Sequence, residues 1–330
     1  SVTQLLIFFI TNATLGINTG ATIDMIFPYV GYALVSVIIL GSLGNILVIF
    51  SIFRQKNLLT NNHYYLVLHL AVCDLLNLLG AIANTHLYLT GRLRMTSPVF
   101  CNLALLSFGS FYVAGVLFMV LMSMLRYRAV FYPLRPAVSR WKLYLASAFL
   151  YVFGILCQIP DVIHLKFKAP DMCWLVWSSE TLKITYTVFL SSVQFFIPVV
   201  FLGMIYWKIC SELMKQGKMI KSMNASNTTK EKERRFLQRL AYHRNARAFG
   251  ICFMIFVCFL GAGSPQQIAF LLSTFNKVKL DTYYDWFVVM YYFGVSAVNP
   301  LIYGASDKKL FSSFKLLRRK ITTRSRDETI

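Results

Sequence analysis

Seven stretches of this chain are apolar over about the length that a helix needs to cross a bilayer. That length is about 20 mostly apolar residues. The chain has 330 residues, of which 57% are hydrophobic and 14% charged, outside the usual range of a soluble domain. The sequence therefore predicts an all-α membrane protein, a bundle of seven transmembrane helices. The stretches cover residues 26–53, 64–89, 98–125, 143–160, 184–207, 248–275 and 286–306.

The positive charges lie mainly on one side of the predicted membrane. If the stretches alternate in direction, 26 of the 33 Lys and Arg residues fall in segments on the side of the carboxyl terminus. This asymmetry predicts a multi-pass plasma-membrane protein with an extracellular amino terminus and a cytosolic carboxyl terminus. A basic nucleic-acid-binding protein would carry these residues on a soluble surface, whereas here they flank apolar stretches.

Three regions follow from this arrangement: an extracellular segment at 1–25, a transmembrane domain at 26–306 and a cytosolic tail at 307–330. Residues 307–320 place apolar side chains on one helical face with basic residues around them, which predicts an amphipathic helix on the inner membrane surface. Residues 215–233 are polar, and we expect a loop there with helix resuming near Arg234.

The predicted extracellular side carries two sites of modification. Asn12 begins an Asn-Ala-Thr pattern that can accept a glycan. Cys101 and Cys173 both face the oxidising compartment and form the one plausible disulfide pair.

Asp74 is the clearest ionisable residue inside an apolar stretch, where an unpaired charge costs several kcal/mol. Asn45, Ser296 and Asn299 are its candidate partners from the first and seventh stretches. These residues could form hydrogen bonds that hold three helices together, or they could form a polar centre that takes part in function. The two roles are compatible.

Several motifs resemble those of the rhodopsin-like G-protein-coupled receptor family, in the same order along the chain. The resemblance covers about residues 26–320. The motifs are Gly44-Asn45, Leu70-Ala71-Val72-Cys73-Asp74, Leu125-Arg126-Tyr127 followed by Pro133-Leu134, the pair Pro198 and Tyr206, and Asn299-Pro300-Leu301-Ile302-Tyr303.

The resemblance implies a receptor that binds an extracellular ligand and activates a heterotrimeric G protein at its cytosolic face. It also makes the amphipathic tail segment similar to the family's eighth helix. For Arg126, the alternative is an ordinary arginine at the basic cytosolic end of a helix. The residues implied in coupling are Arg126, Tyr127, Leu134, Tyr206, Asn299, Pro300 and Tyr303.

The chain departs from the family pattern at three places. Leu125 stands where an acid normally neighbours the arginine, which predicts raised basal activity unless carbonyls or other polar groups hold Arg126. The sixth stretch has Cys258-Phe259-Leu260-Gly261 instead of Cys-Trp-x-Pro and reaches a proline only at Pro265. Gly115 and Val295 replace polar residues of sodium-binding members, which leaves Asp74, Ser296 and Asn299 for a sodium ion, the one cofactor considered.

The candidate ligand pocket is mostly apolar and aromatic, although each of its residues could instead serve helix packing. Phe108 replaces the aspartate of amine receptors, and Phe293 replaces the retinal lysine of opsins. Acids in the outer segments favour a peptide ligand, and a chemosensory or odorant-type receptor is the alternative. The pocket residues are Asn84, Tyr88, Phe108, Tyr112, Gln194, Gln267, Asp285 and Trp286, and the outer acids are Asp161, Asp171, Glu180, Asp281 and Asp285.

Two other classes of membrane protein fit less well. A transporter would tend to have repeated halves, and an odd number of stretches without visible repeats argues against one. A membrane enzyme would need a metal or nucleophile cluster, but the five histidines are scattered and no His-Glu-x-x-His pattern occurs. We therefore expect neither an enzyme nor a metal site.

Overall fold

The protein forms a bundle of seven long helices, as the apolar stretches predict. The structure, a computed structural model, describes residues 20–82, 98–168, 172–222, 229–275 and 281–306, together with Leu310. The helices are α1 (Gly20–Arg54), α2 (Asn62–Gly80), α3 (Pro98–Phe131), α4 (Arg140–His164), α5 (Glu180–Ser222), α6 (Thr229–Thr274) and α7 (281–306).

Six of these helices are long and apolar enough to cross a membrane, and α7 becomes the seventh span if its two parts are counted together. The parts of α7 meet at an angle of 41° just before Asn299. Pro300 explains part of this bend, because proline has no backbone N–H to donate within a helix. The predicted seven-span fold is therefore confirmed.

Two helices contain a turn of π-helix close to a proline. In α5 the turn is Ser192–Phe196, and Pro198 follows it. In α7 it is Phe293–Ala297, and Pro300 follows. Such turns insert one extra residue into the helix and occur frequently at functional sites. They change which side chains of α5 and α7 face the centre of the bundle.

The centre of the bundle is built on α3, which packs against α2, α4, α5 and α6. Its residues Val113, Ala114, Phe118 and Met122 are almost fully buried. α7 closes the ring by contacting α1, α2 and α6. Many large apolar side chains on the outer faces of the helices are exposed, as expected where lipid replaces water as the solvent.

The segment between α4 and α5 forms a hairpin that the sequence analysis did not predict. Strand β1 (Leu165–Lys168) pairs antiparallel with β2 (Met172–Leu175), which places Cys173 opposite Phe167. Cys101 lies in the first turns of α3. The side chains of both cysteines lie outside the described part of the structure, so their disulfide stays a prediction.

The prediction of a long polar loop at 215–233 was wrong. α5 continues to Ser222 and α6 already begins at Thr229. Long Lys, Glu, Met and Gln side chains have good helix propensity, and their polarity does not stop a helix that extends beyond the bilayer. In the predicted amphipathic tail helix, only Leu310 is described among residues 307–320; it is helical and buried.

Gly41 allows α1 to approach α7 closely, and we predict that Gly41→Ala destabilises the bundle. An added Cβ would lie 2.7 Å from Cβ of Ala297 and 2.8 Å from Cδ1 of Leu78. We expect overpacking to lower the free energy of unfolding by about 1–3 kcal/mol. The matched control is Gly261→Ala, which meets no heavy atom within 4 Å. Thermal melting in one detergent should place the first variant below the native chain and the second at or above it.

Candidate functional site

Four polar residues predicted to lie together do so, between α1, α2 and α7. Asn299 Nδ2 donates hydrogen bonds to Asp74 Oδ2 at 2.7 Å and to the Val295 carbonyl at 2.8 Å. Asn45 Nδ2 donates to the Ser296 carbonyl at 3.1 Å. The Ser296 hydroxyl lies near Asp74. All four side chains are buried, so this polar centre joins three helices through groups with almost no access to solvent.

A small cavity of about 10 Å³ lies beside Asp74, Ser296 and Asn299. This is the space that about one water molecule requires. Gly115 and Val295 also line it and offer no side-chain oxygen. The residues therefore fit one water better than a hydrated sodium ion, and we assign sodium no role.

On the α4–α5 hairpin side of the polar centre, three predicted pocket residues lie on α3, α5 and α6. Gln194 Nε2 donates to Gln267 Oε1 at 3.5 Å, and both side chains are buried. Tyr112 packs edge-on against Tyr291 with ring centroids 5.1 Å apart, and its hydroxyl lies close to Gln267. Tyr112 also lines the small cavity beside Asp74. The amide pair and the polar centre are thus connected through one aromatic residue.

The remaining predicted pocket residues cannot be placed as fully. Trp286 is 39% exposed at the start of the described side chains of α7. Phe108 and Asp285 belong to α3 and α7, but their side chains lie outside the described part. Asn84, Tyr88 and the glycosylation candidate Asn12 lie outside the described residues altogether.

At the opposite end of the bundle, Arg126 lines a cavity of about 280 Å³. The cavity lies between α2, α3, α6 and the loop that joins α3 to α4. Arg126 is half-buried, and its Nε has no hydrogen-bond partner among the described residues. Nearby groups include the Cys252 thiol on α6 and the imidazole of His63 on α2. No carboxylate of the described residues forms an ion pair with it.

Tyr206 connects α5 to α3 and α6 close to this cavity. Its hydroxyl lies 2.5 Å from the Ser123 hydroxyl on α3 and donates to the Cys252 carbonyl on α6 at 3.1 Å. Tyr303 is also buried, and its hydroxyl has no hydrogen-bond partner among the described residues. Pro300, between Asn299 and Tyr303, packs against Gly44, where an added Cβ would lie 2.8 Å from Cβ of Pro300.

Comparison with known proteins decides which fold family has this arrangement. Residues 44–303 match the family described as 7 transmembrane receptor (rhodopsin family). The chain belongs to this family. It is therefore a multi-pass membrane receptor of the G-protein-coupled class and not an enzyme.

Individual relatives of this rhodopsin-family receptor include peptide and amine receptors. It is 28% identical to somatostatin receptor type 5 of Bos taurus, over 92% of this chain and 79% of that protein. It is 26% identical to the alpha-1A adrenergic receptor of Oryzias latipes, over 85% and 64% of the two chains. It is 22% identical to the neuropeptide S receptor of Mus musculus, over 86% and 79%.

Its fold is similar to that of squid rhodopsin in a crystal structure. The TM-score is 0.75 with 18% identity, over 91% of this receptor and 87% of squid rhodopsin. At this level of identity the likeness concerns the fold alone.

The structure also places the residues where the receptor departs from its family. Pro265 lies inside α6, so the tryptophan position of Cys-Trp-x-Pro, two residues before the proline, corresponds to Gly263. The ring of Phe195, from the π-helical turn of α5, fills the space beside this glycine: a Cβ added there would lie 2.9 Å from Phe195 Cε2. Phe195 in turn packs against Phe259, with centroids 5.4 Å apart.

Sequence reasoning missed three residues of the receptor's site. Asn77 donates to the Ser296 hydroxyl at 2.9 Å, and its position one helical turn after Asp74 could have indicated this. Ser123 contacts Tyr206, and His63 lies beside Arg126. For these two residues the sequence offers no local signal, because their partners lie on other helices.

Proposed function

We propose that this receptor binds an extracellular peptide and activates a heterotrimeric G protein through the end of the bundle that carries Arg126. The observation that carries the proposal is the cavity at Arg126, which has an arginine without an acidic partner among the described residues and an adjoining exposed loop. On that loop Leu134 is 98% exposed, and the resemblance to the family implies that it is the apolar residue that contacts the G protein. The Arg126 end is then cytosolic, in agreement with the distribution of Lys and Arg.

The path between ligand and G protein runs through α7. A ligand above Tyr112 and the Gln194–Gln267 pair would act on the α3 face that adjoins the polar centre. Asn299 joins this centre to Pro300 and Tyr303, where α7 bends. A ligand shifts such a two-state arrangement only through different affinities for the two states.

A peptide ligand is supported by two relatives named as receptors for somatostatin and neuropeptide S. It is also supported by the polar amide pair inside a largely aromatic surrounding. Two other relatives are named as adrenergic and octopamine receptors. Phe108 cannot form an ion pair with an amine, which disfavours that ligand class. Because these two relatives are named for amines, amines are nevertheless included in the test.

Cells that express the receptor should be screened with peptide and amine libraries, with G-protein dissociation as the readout. We expect a peptide hit that is lost in Arg126→Gln and retained in Arg239→Gln, an exposed arginine of α6 outside the Arg126 cavity. A response to amines alone would overturn the ligand class. A peptide response that survives Arg126→Gln would overturn the coupling site.

Orientation is tested at Asn12. If the amino terminus is extracellular, enzymatic removal of N-glycans should lower the mass of the native receptor and leave that of Asn12→Gln unchanged. The same treatment without any change in native mass would remove this support for the orientation.

Phe195 is expected to replace the missing tryptophan of α6 as the side chain that senses the ligand. Gly263→Trp should place its indole against the Phe195 ring and reduce the peptide response, because a well-packed interior does not accept added volume. The double variant Phe195→Ala/Gly263→Trp frees that volume and should recover part of the response. If the two substitutions act additively in a double-mutant cycle, the two positions do not share this role.

A further inference from the structure

A groove of about 590 Å³ lies on the outer surface of the bundle, between α3, α4 and α5 at the Arg126 end. It is distinct from the cavity that Arg126 lines, although Leu125, Arg128 and the loop before α4 form a wall common to both. The groove has an apolar interior and a basic rim. The interior is formed largely by Leu121, Met124, Ala146, Phe201, Met204 and Ile205, and the rim by Arg128, Arg135, Lys142 and Lys208.

The basic rim draws one residue from each of four elements: α3, the following loop, α4 and α5. Arg128 donates to the Pro136 carbonyl at 3.1 Å, and Arg135 lies over the Tyr132 ring at 4.5 Å, so the protein itself orients these two guanidinium groups. Lys142 and Lys208 are exposed and form no ion pair with a described residue. Among the described residues that line the groove, none is acidic.

The apolar interior lies toward the middle of the bundle from this rim on every helix. Leu121 lies seven residues before Arg128 on α3, and Phe201 lies seven residues before Lys208 on α5. Seven residues span roughly 10 Å along a helix. On α4, which runs in the opposite direction, Ala146 follows Lys142 by one turn. The basic residues thus lie at the end of the bundle and the apolar residues toward its middle. A phospholipid in the membrane has the same arrangement, with its headgroup outside its acyl chains.

We propose that this groove binds an anionic phospholipid, with its phosphate at Lys142 and Lys208 and an acyl chain over Ala146 and Phe201. Basic pockets between transmembrane helices on the cytosolic side are suited to such headgroups. A second copy of the chain would bring an apolar helix face that leaves the two lysines without counter-charge. The assignment of the lipid to the inner leaflet rests on the proposed function, which makes the Arg126 end cytosolic. The binding of the lipid to these residues does not depend on that orientation.

Native mass spectrometry of the full-length receptor in detergent micelles tests the proposal. Palmitoyl-oleoyl phosphatidylserine should bind more tightly than phosphatidylcholine with the same acyl chains. The double variant Lys142→Gln/Lys208→Gln should weaken phosphatidylserine binding roughly tenfold or more, because each such lysine contributes on the scale of a severalfold change in affinity. The control Lys218→Gln/Lys221→Gln changes two exposed lysines of α5 outside the groove and should leave binding unchanged.

Two further arms separate headgroup from chain. Glycerophosphoserine, which lacks acyl chains, should fail to compete, and Ala146→Phe should weaken both phospholipids by filling the groove. Melting temperatures identify any variant that fails to fold, and the lysine pairs are exposed and should melt like the native chain.

Equal binding of the two phospholipids, equal loss in both lysine pairs, or a dimer whose formation excludes lipid would each overturn the proposal. Micelles have no leaflets, so this result does not depend on orientation. If phosphatidylserine binds as expected but Asn12 carries no glycan in cells, the support for the proposed orientation is lost and the lipid site stands.

Discussion

Replacing Asp74 by asparagine is expected to leave the receptor folded and at the cell surface while reducing ligand-stimulated G-protein activation about tenfold. Asn299 donates to the Asp74 carboxylate at 2.7 Å, and an amide oxygen can accept the same hydrogen bond. A hydrogen bond to a charged group contributes about 1.5–3 kcal/mol and a neutral one about 0.5–1.5 kcal/mol. The two ranges differ by about 1–1.5 kcal/mol, and about 1.4 kcal/mol corresponds to a factor of ten in an equilibrium constant.

Asp74→Ala should affect folding as well. It leaves one N–H of the buried Asn299 amide without its acceptor, while the other still donates to the Val295 carbonyl, and an unsatisfied buried polar group costs about 1–3 kcal/mol. We therefore expect a lower melting temperature for Asp74→Ala than for Asp74→Asn. Surface expression measured by antibody binding to intact cells separates a loss of folding from a loss of signalling.

Ser147→Ala is the matched control for both Asp74 variants. It removes an acceptor for the Tyr65 hydroxyl at 3.1 Å and thus disturbs a bond between α2 and α4 instead of α2 and α7. Signalling in this variant should follow its surface expression. An Asp74→Asn receptor with native dose response, or a Ser147→Ala receptor with the same loss, would show that the α2–α7 bond does not couple the two ends.

The sequence predicted the architecture well because the bilayer imposes a length and a polarity on each span. The seven stretches, and the meeting of Asn45, Asp74, Ser296 and Asn299, follow from the cost of burying polar groups in lipid. The ends of the helices were harder to predict. α5 and α6 extend well beyond the apolar stretches as polar helices, and polarity alone does not distinguish such an extension from a loop.

The two π-helical turns explain why the details of the site were harder to predict. An extra residue in a turn rotates the following side chains of a helix relative to a regular 3.6-residue repeat. The packing of Phe195 beside Gly263 depends on such a turn in α5 and on the register of α6, two facts from different helices. The proximity of His63 to Arg126, which line the same cavity, and the contact of Ser123 with Tyr206 likewise require the packed bundle.

Restoring an acid at position 125 is expected to lower the basal activity of the receptor. Leu125 lines the Arg126 cavity, and no described carboxylate forms an ion pair with Arg126. The polar groups near the guanidinium include the Cys252 thiol, the His63 imidazole and the Tyr206 hydroxyl, and its Nε has no hydrogen-bond partner among the described residues. Arg126 therefore lacks, among the described residues, the acidic partner that the resemblance to the rhodopsin-like family implies at this position.

An exposed ion pair contributes about 0.2–1 kcal/mol, and the larger contributions come from arginine–carboxylate pairs joined by two parallel hydrogen bonds. A bias of about 1.4 kcal/mol toward the resting state changes the active fraction tenfold. We therefore expect measurable ligand-free nucleotide exchange in the native receptor and up to about tenfold less in Leu125→Asp at matched surface expression. Leu125→Asn is the control, since it has the shape and polarity of the acid without its charge.

The effect of the carboxylate in Leu125→Asp on basal exchange is also expected to depend on Arg126. Leu125→Asn should keep native basal exchange, and adding Leu125→Asp to Arg126→Lys should reduce basal exchange less than in the native background, because lysine cannot form the two parallel hydrogen bonds of a guanidinium with a carboxylate. Equal reductions by the acid and the amide would indicate a disturbed helix instead of an ion pair. A native receptor without basal exchange would mean that the thiol and imidazole around Arg126 already hold the resting state.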